Sequence, residues 1–306
     1  MLRLSPKTTR FLGGFATAAA IFAISYGYYG YRNNARPYVK TQDVTVAEPP
    51  AASYDELVGQ PMESPKLIDY IRRKLLDPPS KGPYNLTEPN KKHFSQYNQG
   101  QLIDKLIVKG ERNGFFLEVG AVDGETFSNS LYFERELGWT GLLIEPNPAT
   151  YKLLLDKGRK AHTINCALSL DQRASKMEMT INGPSGMLSK IKTGNGTGAT
   201  SPNTVFINTI PLFSILLALN VSVIDYMSLD IEGSEMKVLK TIPWDRLTIR
   251  VMDVEVDKFK PPEDKNYFIR YMEGRGYKYL GTRTIDAFFV SSAVWDSVLK
   301  GVNPLQ

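Results

Sequence analysis

From residue 114 onward, the sequence alternates apolar runs of strand length with segments that have helical periodicity. Buried strands are predicted for five runs: FFLEV (115–119), GLLIE (141–145), AHTINCA (161–167), DYMSLDI (225–231) and TIRVMDVEV (248–256). Helices are predicted between them at 126–137, 149–157, 211–219 and from residue 234. Such alternation is typical of a sheet of mostly parallel strands with helices on both faces. We therefore predict a doubly wound α/β domain.

Composition limits the classes of partner. The 306 residues and the 42% hydrophobic content are enough for one large domain with a sizeable core. Six of the 37 lysine and arginine residues, but none of the 32 acidic residues, lie in residues 1–42. The rest of the chain is close to neutral and lacks the basic surface of a nucleic-acid-binding protein. We expect no nucleic-acid partner.

The N-terminal region contains a candidate membrane anchor. Residues 11–31, FLGGFATAAAIFAISYGYYGY, carry no charge between Arg10 and Arg32. A helix of that length spans about 31 Å, close to the hydrocarbon thickness of a bilayer. Four tyrosines at its end suit the membrane interface. We predict a single-pass anchor, with a cleaved signal peptide, a mitochondrial presequence and a buried helix as the alternatives.

Proline content and apolar periodicity divide the chain. Residues 32–65 are rich in proline and almost without apolar periodicity, which predicts a stalk. We divide the chain into a short basic tail (1–10), a transmembrane helix (11–31), a stalk or linker with a short helix (32–92) and the α/β domain (93–306). The sequence lacks any evident internal repeat, and the only cysteine is Cys166, which excludes an intrachain disulfide.

The first candidate site follows the strand FFLEV. Glu118, Gly120 and Gly124 form the pattern E-x-G-x-x-x-G where we predict a turn from strand to helix. In open α/β sheets, ligands bind beyond the carboxyl ends of the strands. Gly120 would let the backbone approach a ligand closely. The carboxylates around this turn would repel a pyrophosphate but suit a sulfonium or ammonium group, which indicates S-adenosylmethionine.

Two further groups of acids follow strands. Glu145 ends the next strand, at the position where an acid accepts hydrogen bonds from ribose hydroxyls. Asp230 and Glu232 lie at the end of DYMSLDI, where strand alternation places them on the same face. They would hold the methionine amino group, or orient and deprotonate an acceptor hydroxyl, or bind Mg²⁺. The alternative for Glu232 is a helix cap. We assign no metal ligands from the sequence.

Three segments together resemble the FkbM-type methyltransferases: FFLEVGAVDGETFSNSLYFERELGWTGLLIEPNP, NCALS and DYMSLDIEGSE. The resemblance covers about residues 93–292 and implies a class I methyltransferase fold, S-adenosylmethionine as the cofactor and methyl transfer to oxygen. It implies that Glu118, Gly120 and Gly124 form the cofactor loop and that Glu145 binds the ribose. Cys166 and Ala167 would lie near the adenine, and Asp230 and Glu232 would line the reaction crevice as the catalytic candidates.

HFSQYNQGQLIDKL and the N-terminal anchor resemble the Star-like membrane-anchored branch of this family. That branch implies an alternative, non-catalytic function in endoplasmic reticulum to Golgi trafficking of membrane cargo such as growth-factor precursors. The expected location is therefore an endoplasmic reticulum, Golgi or endosomal membrane with a lumenal C-terminal domain, and mitochondria are the alternative. Asn-x-Ser/Thr triplets at Asn85, Asn195 and Asn220 fit a lumenal domain, although about two would arise by chance. The partners are the membrane and an acceptor or cargo that the sequence does not identify.

Overall fold

The computed structural model describes residues 50–181, 190–191 and 204–299 of the 306-residue chain. The predicted anchor at residues 11–31 and the triplet at Asn195 lie outside these ranges. Within them, no helix is both long and apolar enough to cross a bilayer.

Most strands belong to one large sheet. Its strands are β1 (Leu76–Asp77), β2 (Phe115–Val119), β3 (Thr140–Ile144), β4 (His162–Ile164), β9 (Val223–Leu229), β10 (Thr248–Glu255), β11 (Tyr277–Arg283) and β12 (Asp286–Ser291). Their order across the sheet is β1-β4-β3-β2-β9-β10-β12-β11. The five central strands, from β4 to β10, are parallel, while β1 and β12 pair antiparallel with β4 and β10. This is the predicted doubly wound, mostly parallel sheet.

A smaller sheet of four strands accompanies it. Its members are β5 (Ala167–Leu168), β6 (Ser175–Thr180), β7 (Lys190–Ile191) and β8 (Thr204–Ile210), in the order β5-β8-β6-β7. The sequence did not predict this sheet. The strands β5 and β7 have only two residues each, and β6 and β8 mix polar and apolar residues, with no apolar run longer than three residues.

Helices connect the strands of the large sheet. They are α1 (Pro65–Tyr70), α2 (Gln99–Ile103), α3 (Leu131–Leu137), α4 (Pro148–Asp156), α5 (Leu212–Leu219), α6 (Glu235–Thr241), α7 (Lys265–Glu273) and α8 (Ser292–Val294). Wider, π-type turns continue α1, α2 and α8. Asn147 and Asp264 begin α4 and α7 by accepting a backbone N–H with their side chains, as N-cap residues do.

Apolar side chains cover both faces of the large sheet. Leu117 and Met227 belong to a buried cluster on one face, while Phe116 and Tyr226 belong to a second cluster on the other. Alternate residues of a strand project to opposite faces, so a strand buried on both sides reads as a continuous apolar run. This explains why FFLEV was recognised as a strand from the sequence.

The structure differs from three predicted element bounds. The helix expected at 126–137 begins only at Leu131, because Phe127 adopts a left-handed backbone conformation that interrupts a helix. The strand expected at 161–167 divides after Ile164, and Ala167 continues in the smaller sheet. The strand expected at 225–231 ends at Leu229.

Part of the expected stalk is packed into the domain. Tyr54, Leu57, Leu67 and Ile71 are all at most 5% exposed and belong to the main core cluster. The Tyr54 hydroxyl donates a hydrogen bond of 2.8 Å to the backbone carbonyl of Thr209. The folded region therefore extends to the N-terminal side of residue 93, where we expected the domain to begin.

Candidate functional site

The candidate site lies where the direction of chain progression across the sheet reverses. From β2 the chain moves outward to β3 and β4, and then returns to form β9 on the other side of β2. In open α/β sheets, such a switch point leaves a crevice beyond the carboxyl ends of the strands, where ligands bind. Gly120, Glu145 and Asp230 are the first residues after β2, β3 and β9. The parallel order therefore brings these three predicted residues to the same edge of the sheet.

The turn after β2 is held by bonds to its neighbouring strands. Gly120 has a φ of +88° and Gly124 a φ of +77°, values that favour glycine. The backbone N–H groups of Gly120 and Ala121 both donate to the carbonyl of Ile144 at the end of β3. The turn is thus bent by left-handed residues and fixed in position against β3.

The group that approaches Gly120 closely belongs to the protein and is the backbone of Asp230. A Cβ atom at this position would overlap the backbone carbonyl oxygen of Asp230. The Asp230 N–H donates to the carbonyl of Val119, so the ends of β2 and β9 are directly joined. We expected Gly120 to make room for a ligand, and the structure shows that it makes room for the end of β9.

Glu118 is buried and engaged by the loop before α3. Its carboxylate accepts hydrogen bonds from the Ser128 hydroxyl at 2.9 Å, from the Asn129 N–H at 2.7 Å and from the Ser130 hydroxyl. Only 4% of the residue is exposed. These bonds show that Glu118 organises the loop, and its predicted contact with a cofactor stays a prediction.

The other two acids of the turn also bind backbone donors. Asp123 accepts from the N–H of Glu125 at 2.9 Å. The Glu125 carboxylate accepts from the N–H groups of Thr87 and Glu88 and pairs with Lys157 at 2.6 Å. These acids therefore have structural roles, because Asp123 stabilises the turn itself and Glu125 joins the turn to the segment that precedes β2.

Glu145 joins three parts of the site. Its carboxylate accepts hydrogen bonds of 2.8 Å from the Val122 N–H, the Asn147 N–H and the Thr150 hydroxyl. Burial raises the pKa of Glu145 to about 7, an effect that these hydrogen bonds partly offset. Among the described residues, the oxygen Oε2 accepts a hydrogen bond only from Val122, and a carboxylate oxygen can accept more than one. Glu145 thus keeps capacity for a further donor.

Cys166 and Ala167 follow β4 and are both buried. Burial raises the pKa of the Cys166 thiol, which favours the neutral, unreactive form. The preceding residue, Asn165, donates from Nδ2 to the backbone carbonyl of Glu145 at 2.8 Å. This bond places the segment beside the end of β3, where the resemblance expects the adenine.

Asp230 and Glu232 come together, although strand alternation is not the reason. The strand β9 ends before them, and Glu232 has a left-handed φ of +61°. Nevertheless, one carboxylate oxygen of each lies within 4.8 Å of the other and of a Glu255 oxygen. Asp230 is exposed to solvent. Desolvation by surrounding protein atoms nevertheless raises its pKa.

Another acid, Glu235, holds the turn between β9 and the helix α6. The Glu235 carboxylate accepts from the N–H groups of Ile231 and Gly233 at 2.9 and 3.0 Å. Both N–H groups precede the helix, so this carboxylate holds the turn before it rather than capping the helix as we considered for Glu232. The carboxylate of Glu232 is instead directed to the cluster with Asp230 and Glu255.

Three buried acids near the site were not singled out from the sequence: Asp253 and Glu255 on β10, and Asp286 on β12. Burial raises the pKa of each, to about 10 for Glu255 and about 6 for Asp286. Nearby carboxylates raise these pKa values further. The signal available in the sequence was the pair Asp253 and Glu255, two residues apart in a predicted strand whose neighbouring residues 251, 252, 254 and 256 are apolar.

A buried polar row links these acids to Glu118. Glu118, Ser228 and Asp253 are aligned on neighbouring strands and therefore project to the same face. Asn129 Nδ2 donates to the Ser228 hydroxyl at 2.9 Å, and that hydroxyl donates to Asp253 at 3.0 Å. The row connects the loop after β2 with the ends of β9 and β10.

Two buried side-chain amide atoms of the site have no hydrogen-bond partner among the described residues. They are Nδ2 of Asn147, beside Glu145, and Oδ1 of Asn129, beside Ser228. Unsatisfied buried polar groups are costly and rare, so each calls for a missing partner. Nδ2 of Asn147 could therefore donate a hydrogen bond to a polar ligand, and Oδ1 of Asn129 could accept one from it.

The strand order and the site together define a Rossmann-like α/β protein of the methyltransferase class. The family profile described as "Methyltransferase FkbM domain" matches residues 118–279, more than half of the chain. The chain belongs to this family. The match covers the Gly120 turn, Glu145 and the Asp230 region, but it does not bear on the Star-like branch or on trafficking. No curated protein matches the sequence.

Several solved structures are similar at low identity. Methyltransferase FkbM from Methylobacillus flagellatus KT has 14% identity and a TM-score of 0.37, and the match covers 58% of this chain and 43% of that one. M. capricolum TrmK, solved with S-adenosyl-homocysteine, has 12% identity and a TM-score of 0.33, with 65% and 68% covered. A SAM-dependent methyltransferase from Aquifex aeolicus has 13% identity and a TM-score of 0.33, with 63% and 88% covered. TM-scores this low carry no weight beside the family match and the strand order.

Proposed function

We propose that this protein is an S-adenosylmethionine-dependent methyltransferase that transfers a methyl group to an oxygen of its acceptor. The observation that carries the proposal is the convergence of the Gly120 turn, Glu145 and Asp230 at the switch point of an FkbM domain. When bound, S-adenosylmethionine supplies an electrophilic methyl group on a sulfonium. The residues below would hold it and the acceptor.

Glu145 and Asn147 are the proposed ribose and nucleoside contacts. Oε2 of Glu145 has remaining acceptor capacity for a ribose hydroxyl, and Nδ2 of Asn147 is a buried donor without a described partner. Glu118, Gly120 and Gly124 shape the loop that would cover the cofactor. Cys166 and Ala167 follow β4 and would lie near the adenine.

Asp230 and Glu232 are the proposed catalytic residues. Methyl transfer to a hydroxyl is an in-line displacement, so its rate depends on the alignment of the methyl group with the acceptor oxygen. The acceptor hydroxyl loses its proton as the carbon–oxygen bond forms and the carbon–sulfur bond breaks. A carboxylate of Asp230 or Glu232 would orient this hydroxyl and accept that proton, while S-adenosylhomocysteine leaves.

The test is a calorimetric titration of the full chain with S-adenosylmethionine and S-adenosylhomocysteine, followed by an assay of labelled methyl transfer to cell extracts. We expect saturable binding, and we expect Glu232→Gln to lower turnover with little change in binding. Glu263→Gln, which removes a carboxylate from an exposed ion pair with Lys240, is the matched control and should leave both unchanged. Failure of the wild-type chain to bind either compound would refute the proposal.

We also infer that the chain is anchored in a secretory-pathway membrane with this domain in the lumen. The support is the uncharged stretch at residues 11–31 and its terminal tyrosines. Asn85 and Asn220 are both exposed and lie in glycosylation triplets, which fits a lumenal domain.

A further inference from the structure

Three carboxylates meet at the ends of β9 and β10. Asp230 directly follows β9, Glu232 is turned back by its left-handed backbone, and Glu255 is the last residue of β10. One oxygen atom from each lies within 4.8 Å of the other two. The parallel pairing of β9 with β10 creates this proximity between residues that are distant in the sequence.

Glu255 gives independent evidence that a partner is missing. The residue is 3% exposed, and its Oε2 has no hydrogen-bond partner among the described residues. Its Oε1 lies 3.8 Å from Nζ of Lys258, which is beyond hydrogen-bonding distance. A buried carboxylate oxygen without a donor is costly, so a positive ligand at this point would stabilise the fold.

Lys258 does not compensate the cluster by itself. Its ammonium group is 2.6 Å from Asp257, and its side chain is 40% exposed. Lys258 is already paired with a fourth carboxylate and therefore leaves Oε2 of Glu255 without a donor among the described residues. Like charges at this separation are stable only if a proton or a cation is shared among them.

We propose that Asp230, Glu232 and Glu255 bind a hard divalent cation of the Mg²⁺ or Mn²⁺ type. Carboxylate oxygens are the ligands that such cations prefer, and no thiol or imidazole belongs to the cluster. Three protein ligands would leave coordination positions for water or for an oxygen of a second molecule.

The cation would have a direct use in the proposed methyl transfer, and this part of the inference rests on the proposed function. A divalent cation held by these carboxylates would bind an acceptor hydroxyl, lower its pKa and fix its direction, so Asp230 and Glu232 would act through the cation and the hydroxyl proton would pass to water in place of direct transfer to a carboxylate. The substrate class would then be hydroxyl-bearing acceptors that bind a metal through oxygen. Metal binding itself does not depend on this use.

The experiment is a titration of the full chain with Mn²⁺, followed by the loss of the free-ion signal in electron paramagnetic resonance, and repeated with Mg²⁺ as competitor. We expect one saturable site. Glu255→Gln should weaken Mn²⁺ binding by about tenfold or more, as the loss of a metal-site partner does. Glu232→Gln should do the same and provides a second variant at a less buried position.

Two variants serve as controls. Glu263→Gln removes one negative charge outside the cluster and should leave Mn²⁺ affinity unchanged. Lys258→Met removes the neighbouring cation and should strengthen Mn²⁺ binding. Mn²⁺ should also raise the thermal unfolding temperature of the wild-type chain but not of Glu255→Gln, which distinguishes a bound ion from charge attraction to an unfolded fraction.

Absence of saturable Mn²⁺ binding would overturn the inference and assign a shared proton to the cluster. Equal binding by wild type and Glu255→Gln would overturn it as well. A parallel titration with S-adenosylhomocysteine without metal separates the two proposals. Binding of S-adenosylhomocysteine without Mn²⁺ binding retains the function and rejects the metal site, and the opposite result retains only the metal site.

Discussion

The backbone carbonyl oxygen of Asp230 occupies the space that a side chain on Gly120 would need. This contact joins the first turn of the candidate cofactor loop to the segment after β9, which carries the candidate catalytic acids. The geometry of the two halves of the crevice is therefore coupled through the backbone, and a substitution at Gly120 should affect both.

Gly120→Ala should destabilise the fold and abolish cofactor binding. Left-handed backbone costs an alanine about 1–2 kcal/mol, and displacement of the Asp230 carbonyl adds about 1–3 kcal/mol. Gly59→Ala is the matched control, because Gly59 has a φ of +84° and nothing within 4 Å of the added Cβ. Urea unfolding should show a clearly larger loss for Gly120→Ala. Equal losses for the two variants would mean that the carbonyl moves at no cost.

Glu145→Ala should weaken S-adenosylhomocysteine binding by about tenfold or more. A hydrogen bond to a charged group contributes about 1.5–3 kcal/mol, and the variant removes the proposed acceptor for ribose hydroxyls. Because Glu145 also holds Thr150 and Val122, a structural defect must be separated from a binding defect. Thr150→Val removes one of these bonds but keeps the carboxylate, so it should bind the ligand like wild type in calorimetry. A similar loss in both variants would indicate an indirect effect of Glu145.

The free energy of unfolding should depend on pH in a way that reflects the raised pKa of the buried Glu145. Its pKa rises from 4.5 to about 7 on folding, so the folded state holds the proton more tightly than the unfolded chain. This contribution to the free energy of unfolding therefore decreases as pH rises from about 5 to about 7, by at most about 3 kcal/mol.

Glu145→Gln should lack this dependence. Urea unfolding of wild type and variant between about pH 5 and pH 8 provides the measurement, because the other buried acids cancel in the difference between the two. The variant should gain stability relative to wild type as the pH rises. A difference that stays constant over this range would show that Glu145 is ionised throughout.

The sequence predicted the strands that border the site because most of their residues are apolar on both faces, as in FFLEV and DYMSLDI. It also predicted Gly120, Glu145 and Asp230 at one edge, since parallel strands bring their carboxyl ends together. Glu255 was not found, because the pair Asp253 and Glu255 in a predicted strand gives no indication of which residues lie beside it. Its proximity to Asp230 depends on the pairing of β9 with β10, which the order of elements in the sequence does not specify.

Membrane anchoring makes a separate prediction. Because residues 11–31 are uncharged and long enough to span a bilayer, the full chain should stay in the membrane pellet after alkaline carbonate extraction. A chain beginning at Tyr38 should be released. In sealed microsomes, the domain should resist added protease until detergent opens the vesicles. Recovery of the full chain in the carbonate supernatant would reject the anchor, and digestion without detergent would reject the lumenal orientation.

The segment before residue 60 should be required for stability, although its composition suggested a stalk. A chain beginning at residue 60 loses Tyr54 and Leu57 from the core, together with the hydrogen bond to the Thr209 carbonyl. Burial of two such side chains contributes about 1.5–3 kcal/mol each, and the hydrogen bond about 1 kcal/mol. Its free energy of unfolding should therefore fall by about 4–7 kcal/mol relative to a chain beginning at Tyr38. Urea unfolding followed by circular dichroism measures the difference, and Leu57→Ala in the longer chain should reproduce about 2–5 kcal/mol of it. Equal stability of the two chains would show that the segment lies on the core without supporting it.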